Sequence, residues 1–358
     1  MSHPYRSLPP TAFWRASIGQ RDPFDVDPVV KPRFVLTPET RVATAGSCFA
    51  QHVARHLKAA GMCYMEFETP HPLMDRAIVE EFGYGLFPAR YGNIYTARQL
   101  VQTFKRAHGT FLPQEDIWPS EDGRFFRDPF RPQIQPDGFA SLTEYRLDRE
   151  RHFTALRRMF AKIDLFIFTL GLTEAWEDSR DGAVFPLCPG VAGGTFDPDR
   201  HRAVNYSASQ VIDDLNEFLA LLATVNPAAR VILTVSPVPL MATSSGGHVL
   251  PATVYSKSVL RVAADEIRRA HAHVDYFPSY EFIAGPQGDA RFFEADKRSI
   301  RPEAVARVMG LFFHHYYGKA VPHDVTGILA ENASSEQERT LSEQIARLLC
   351  DEEALDCS

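Results

Sequence analysis

Arg41-Val42-Ala43-Thr44-Ala45-Gly46-Ser47-Cys48-Phe49-Ala50 is the stretch on which the reading of the fold turns. Arg41 to Ala45 is a short β-like run, and Gly46-Ser47 breaks it. Helical spacing begins at once. Phe49, Val53, Leu57 and Ala60 fall on one face, and Gly61 is a natural stop. The unit is strand, tight turn, helix.

Three later segments carry the same strand signal without alternation. Asp164 to Leu170 and Val231 to Val235 are almost wholly apolar, and Val274 to Phe277 is shorter and weaker. Continuous apolar runs fit strands covered on both faces, as in a parallel sheet. Helical patterns separate them, at about 208–224, at about 255–272 and after Pro302. The first carries a capping-box signature in Ser207 and Gln210. Alternating strands and helices imply a doubly wound α/β sheet with right-handed crossovers.

Around this core, residues 1–40 read as an arm packed on the domain. The α/β domain itself runs over 41–318. Residues 65–160 are rich in aromatics, Pro and Gly. They exceed a simple crossover and read as an insertion forming a cap or rim. Residues 177–206 read as a second long loop. Residues 319–358 read as a helical extension.

Composition narrows the function classes. The 358 residues carry a net charge of −7, so nothing in the overall charge draws the chain to nucleic acid or an anionic membrane surface. Five cysteines without metal-ligand spacing read as reduced thiols. With no stretch approaching the ~20 apolar residues of a membrane span and no secretory pattern at Met1 to Tyr5, a cytoplasmic protein is expected. No P-loop and no Gly-x-Gly-x-x-Gly follows the first strand, so no cofactor and no metal is expected. The oligomeric state stays open.

In open α/β sheets the active site lies beyond the carboxyl ends of the strands. Ser47 stands there. It either caps the helix or presents a nucleophilic hydroxyl beside helix N-terminal amides that stabilise an oxyanion. Gly46-Ser47-Cys48-Phe49-Ala50 spells the motif of the GSCFA family, and further segments resemble it in order. They are Tyr91 to Thr96, Thr169 to Trp176, Val235 to Pro239, Tyr255 to Ser258 and Phe277 to Glu281. The resemblance implies a flavodoxin-like, three-layer sheet of the SGNH/GDSL hydrolase-like superfamily and acyl cleavage or transfer, often on carbohydrates. An acylated carbohydrate or other small ester is the expected substrate. A non-catalytic binding or scaffold protein on the same fold is the alternative.

Carried over residue by residue, the resemblance makes Ser47 the nucleophile, with Gly46 in its turn. Gly92 and Asn93 are either a turn or a source of oxyanion donors. Gly171-Leu172-Thr173-Glu174 stands where the superfamily usually has Gly-x-Asn-Asp. Thr173 is then a shorter-reaching donor, and Glu174 either orients a donor or binds a loop. The usual late Asp-x-x-His block maps to Asp296-Lys297-Arg298-Ser299, so Asp296 is present but a serine replaces the histidine. A serine nucleophile needs a base within reach. His248, in the Gly-rich loop after the third strand, is the leading candidate and otherwise a surface residue. Lys257 is the other route, unless it is solvated or pairs with a carboxylate such as Glu281. His52 and His56 read as helix packing, His71 as a minor alternative, and His314 and His315 as structural.

Overall fold

A computed structural model of the chain describes residues 3–318, apart from 121, 289 and 290; the extension expected at 319–358 lies outside the described residues. β1 (Val42–Gly46) feeds α1 (Cys48–Ala59) through Ser47, as the opening stretch dictates. There follow α2 (Arg76–Glu81), α3 (Ala97–Ala107), the short pair β2 (Trp118–Pro119) and β3 (Phe126–Arg127), and the long α4 (Leu142–Lys162). β4 (Leu165–Leu170) leads into β5 (Glu174–Asp178), β6 (Val184–Phe185) and β7 (His201–Asn205). Next come α5 (Ala208–Val225), β8 (Arg230–Val235), α6 (Val249–Ala270), β9 (Val274–Tyr276), α7 (Ser279–Ala284) and α8 (Pro302–Phe312).

The main sheet is parallel throughout, in the order β1-β4-β8-β9. On the free edge of β1, Tyr64 adds an isolated parallel bridge to Val42. That edge piece completes the flavodoxin-like order, in which the second strand lies outside the first and the chain then reverses direction across the sheet.

Side chains alternate between two cores, so all four strands are buried on both faces. Val42, Leu165, Ile167 and Ile232 pack with α1 and α8. Ala43, Phe166, Phe168 and Leu233 pack with α3, α4, α5 and α6. Fully burying each large apolar side chain contributes about 1.5–3 kcal/mol, which favours the continuous apolar runs read in the sequence. The N-terminal arm lies on the α8 side. Val26 and Leu36 enter that core, the Leu36 N–H donates to the Tyr316 carbonyl at 2.7 Å, and the Arg33 N–H donates to Asp275 at 2.8 Å.

Three segments differ from the sequence reading. The 65–160 region supplies more than a rim, because the apolar stripes of α3 and α4 join the second core. The 177–206 loop is largely ordered as an antiparallel sheet, β6-β5-β7, whose pairing is non-local and carries no strong sequence period. Helix α6 begins at Val249, about six residues earlier than the periodicity indicated, because His248 caps it.

A buried charge cluster holds the 65–160 region together. Arg131 binds Asp128 at 2.8 Å and Asp148 at 2.9 Å. Arg90 binds Asp148 at 3.0 Å and donates its N–H to Glu68 at 2.8 Å. His152 Nδ1 lies 2.8 Å from Glu68. Burial opposes ionisation of Glu68, but His152, Arg131 and the Arg90 N–H outweigh it and hold the carboxyl below its ordinary value. Burial first, and then Arg131, pushes His152 below its ordinary value. The two directions conflict if His152 must be charged. We take Glu68 as ionised, held by Arg131 and the Arg90 N–H, beside a neutral imidazole. Removing one partner of a buried ion pair costs about 3–5 kcal/mol, so Arg131→Met should lose that much in urea unfolding. Because the folded pKa of Glu68 lies below the unfolded value, its contribution is present above the unfolded value of 4.5 and is lost as pH falls through the lowered folded one. Acid titration of the melting curve reads that loss.

Candidate active site

The site begins where two strands touch. Gly46 ends β1 opposite Thr169 of β4, with φ at +142°, a region that favours glycine. A Cβ there would lie 2.7 Å from Thr169 Cβ and 2.9 Å from its nitrogen, and closer still to its carbonyl. The glycine lets β1 end flush against β4, and Ser47 emerges at the point where the strand order reverses.

Ser47 occupies the N-cap of α1, yet its side chain makes no capping bond. The residue is 4% exposed. Its Oγ is buried with no hydrogen-bond partner among the described residues. A buried hydroxyl left unpaired costs about 1–3 kcal/mol, and such exceptions in a native fold call for a reason. The capping alternative therefore fails in this structure.

Gly171, just past β4, closes one side. The N–H groups of Gly171 and Leu172 donate to the Tyr95 carbonyl at 3.0 and 3.2 Å. A Cβ on Gly171 would stand 3.2 Å from Ser47 Cβ and 3.1 Å from the Tyr95 carbonyl oxygen. The Gly171 carbonyl accepts from Lys257 Nζ at 2.6 Å, and Lys257 is 3% exposed. Ser47, Gly171 and Lys257 line one pocket with Cys48, Tyr95, Leu172, Ser236, Val238, Pro239 and Leu240. Glu281 is not the partner of Lys257 here. It pairs with Arg261 at 2.5 Å and accepts from the Tyr276 hydroxyl at 2.8 Å.

The other sequence candidates sit elsewhere. His248 is exposed, and its Nδ1 accepts the Leu250 N–H at 3.1 Å to cap α6. No histidine is among the residues lining the Ser47 pocket, and the cap bond holds the His248 imidazole at the start of α6 rather than bringing it to Ser47 as expected of a base. Gly92 (φ +68°) and Asn93 line a separate pocket with Gln51, and Asn93 Oδ1 accepts from Gln51 Nε2 at 3.5 Å. Neither is among the residues that line the Ser47 pocket, although the next residue, Ile94, donates its N–H to the Gly46 carbonyl at 2.9 Å. The Thr173 hydroxyl donates to Asn205 Oδ1 at 2.6 Å, and its N–H donates to Ser256 Oγ at 2.9 Å, which engages it away from an oxyanion. Glu174 binds a loop, accepting from Thr243 Oγ1 at 2.6 Å and the Ser244 N–H at 2.9 Å. Asp296 accepts from Ser299 Oγ at 2.5 Å and from the N–H groups of Arg298 and Ser299, a closed turn in which the serine takes the contact. His56 Nδ1 lies 2.8 Å from the His52 carbonyl, and His315 Nε2 lies 2.7 Å from Asp27.

Sequence reasoning missed Tyr95, Ser256 and Asn205. Tyr95 and Ser256 stood inside segments already singled out, next to Asn93 and Lys257. Asn205 gave no local signal, since it reaches Thr173 only through the β5–β7 pairing. Among the described residues, no group of three or more His, Cys, Asp or Glu gathers to hold a metal, and no helix is long and apolar enough to cross a membrane.

Comparison with known proteins adds three findings. The model of the GSCFA family matches residues 41–312. No curated protein matches the chain. Among solved structures, the chain is similar to the crystal structure of a carbohydrate esterase family 3 from Talaromyces cellulolyticus, at 12% identity over 82% of this chain and 99% of that one, with a TM-score of 0.35. A likeness that loose carries no argument about function.

The packing at the two glycines sets a graded prediction. Gly46→Ala combines overpacking with backbone strain and should cost about 2–6 kcal/mol. Gly171→Ala meets ordinary φ and tighter-than-usual contacts and should cost about 1–3 kcal/mol. Urea denaturation of the two variants measures both, and equal costs would contradict the geometry.

Proposed function

The chain belongs to the GSCFA family, and from that premise we propose that it is a serine-dependent acyl-ester hydrolase or acyltransferase in which Ser47 is the nucleophile and Lys257 receives its proton. An acylated carbohydrate or another small ester is the proposed substrate. One observation carries the reading: a buried serine hydroxyl without a partner among the described residues, at the sheet's reversal point, shares its pocket with a buried lysine.

The chemistry follows from that pairing. In its neutral form the Lys257 amine still donates to the Gly171 carbonyl through one N–H, and its lone pair accepts the Ser47 proton. The freed oxygen attacks the ester carbonyl carbon, and the carbonyl π pair moves onto oxygen. Ser47 opens α1, and a helix N-terminus is where developing negative charge is best stabilised. Collapse of the intermediate expels the alcohol, which takes its proton from Lys257. Water or a sugar hydroxyl then attacks the acyl-serine by the same steps in reverse.

The competing reading is a ligand-binding protein on the same fold. It draws on the closed Asp296–Ser299 turn, which leaves the late block without an acid–base pair. A fluorophosphonate probe separates the two. The wild type should label, and Ser47→Ala should not. Lys257→Met should label about 10²–10⁴-fold more slowly, the usual worth of a positioned base. His248→Ala should label at the wild-type rate. Absent or equal labelling in the wild type and Ser47→Ala would favour the binding protein.

A further inference from the structure

The link between β4 and β5, residues 171–173, is neither strand nor helix, yet elements from three sides grip it. The Gly171 and Leu172 N–H groups donate to the Tyr95 carbonyl, just ahead of α3. The Gly171 carbonyl accepts from Lys257 Nζ of α6 at 2.6 Å. Thr173 is fully buried and spends every polar group it has. Its N–H donates to Ser256 Oγ of α6 at 2.9 Å, and its hydroxyl donates to Asn205 Oδ1 of β7 at 2.6 Å. Its carbonyl accepts the Tyr206 N–H at 2.9 Å. A buried link without secondary structure needs such partners to satisfy its backbone, but these partners also connect α6 and β7 to one point.

A lysine amine needs that connection more than a histidine ring does. It ends a flexible four-carbon stem, and a group that takes a proton must be held to within about 0.5 Å. The Gly171 carbonyl orients the amine only as well as Gly171 is itself fixed relative to α6. Ser256 supplies the fix. It precedes Lys257 on the same helix, is fully buried, and joins α6 to Thr173 while Lys257 joins α6 to Gly171. Asn205 anchors Thr173 from the other side, through the β5–β7 sheet. Neither Ser256 nor Asn205 lines the Ser47 pocket, so their effect on it passes through Thr173 and the link.

We propose that Ser256 and Asn205 are positioning residues for the Lys257 amine, acting through Thr173. The inference rests on the reading of Lys257 as the group that receives the Ser47 proton. The experiment follows fluorophosphonate labelling across pH and reads three quantities: the rate constant, the midpoint of its pH profile and the final extent. Ser256→Ala should lower the rate constant about tenfold and Asn205→Ala about threefold, a part of the ~10² that a 1 Å misplacement can cost. Both should move the midpoint, which reports the base. Thr173→Val removes the hydroxyl that Asn205 accepts and should match Asn205→Ala, and Thr173→Ser keeps it and should return to the wild-type values. In a Lys257→Met background, neither Ser256→Ala nor Asn205→Ala should slow labelling further, because residues that act through one group are not additive. A merely structural role would lower the final extent and leave the rate constant and midpoint of the competent molecules unchanged, which would overturn the inference. So would a loss that persists undiminished in the Lys257→Met background. If Ser256→Ala does not fold, Asn205→Ala and Thr173→Val decide the matter, the first at an exposed position. Slow labelling of Lys257→Met beside wild-type labelling of Ser256→Ala and Asn205→Ala would remove the inference and leave the base in place. Wild-type labelling of Lys257→Met would remove both.

Discussion

Gly46 lies against Thr169 with no room for a methyl group between them, and the rest of the site is arranged around that contact. Because β1 can end flush with β4, the sheet's reversal point is tight. Ser47 then leaves the strand directly into α1, and Gly171 leaves β4 beside it. The same contact explains why the Ser47 hydroxyl is buried although it stands at the mouth of a sheet: Gly171, Tyr95 and the 236–240 turn close over it.

The pocket is held by hydrogen bonds between segments far apart in sequence. Lys257 reaches the Gly171 carbonyl, Ser256 takes the Thr173 N–H, and Glu174 takes the 243–244 turn. Adjacent residues on α6 and on the post-β4 segment are thus laced together in register. This lacing ties α6 to the sheet edge, and it brings a lysine rather than a histidine into the pocket that Ser47 lines. The late block shows the complementary adjustment, where Ser299 binds the Asp296 carboxylate within its own turn.

Much of the fold was legible because it rests on local pattern. The apolar runs at 164–170 and 231–235, the glycine break at 46 and the Ser207–Gln210 capping box are each decided within a few residues, and the structure has β4, β8, the β1–α1 turn and α5 at those places. The β5–β7 sheet was not legible, because its strands pair across more than twenty residues and face partly outward, with little alternation to read. The start of α6 was misjudged because His248 gives no capping signal of the usual Ser, Thr, Asp or Asn kind.

For the site, the sequence by itself determined which residue types stand at the carboxyl ends of the strands: a serine after the first, a glycine after the second, and a lysine on the helix after the third. Those positions follow from chain order and the one-way direction of a parallel sheet. The tertiary structure decided which of them meet. On the sequence His248 leads Lys257 as the base, but in the structure Lys257 lines the Ser47 pocket, while His248 Nδ1 accepts the Leu250 N–H and the Thr173 hydroxyl donates to Asn205. Such bonds depend on distances set by packing between layers, and no local pattern in the chain encodes those distances.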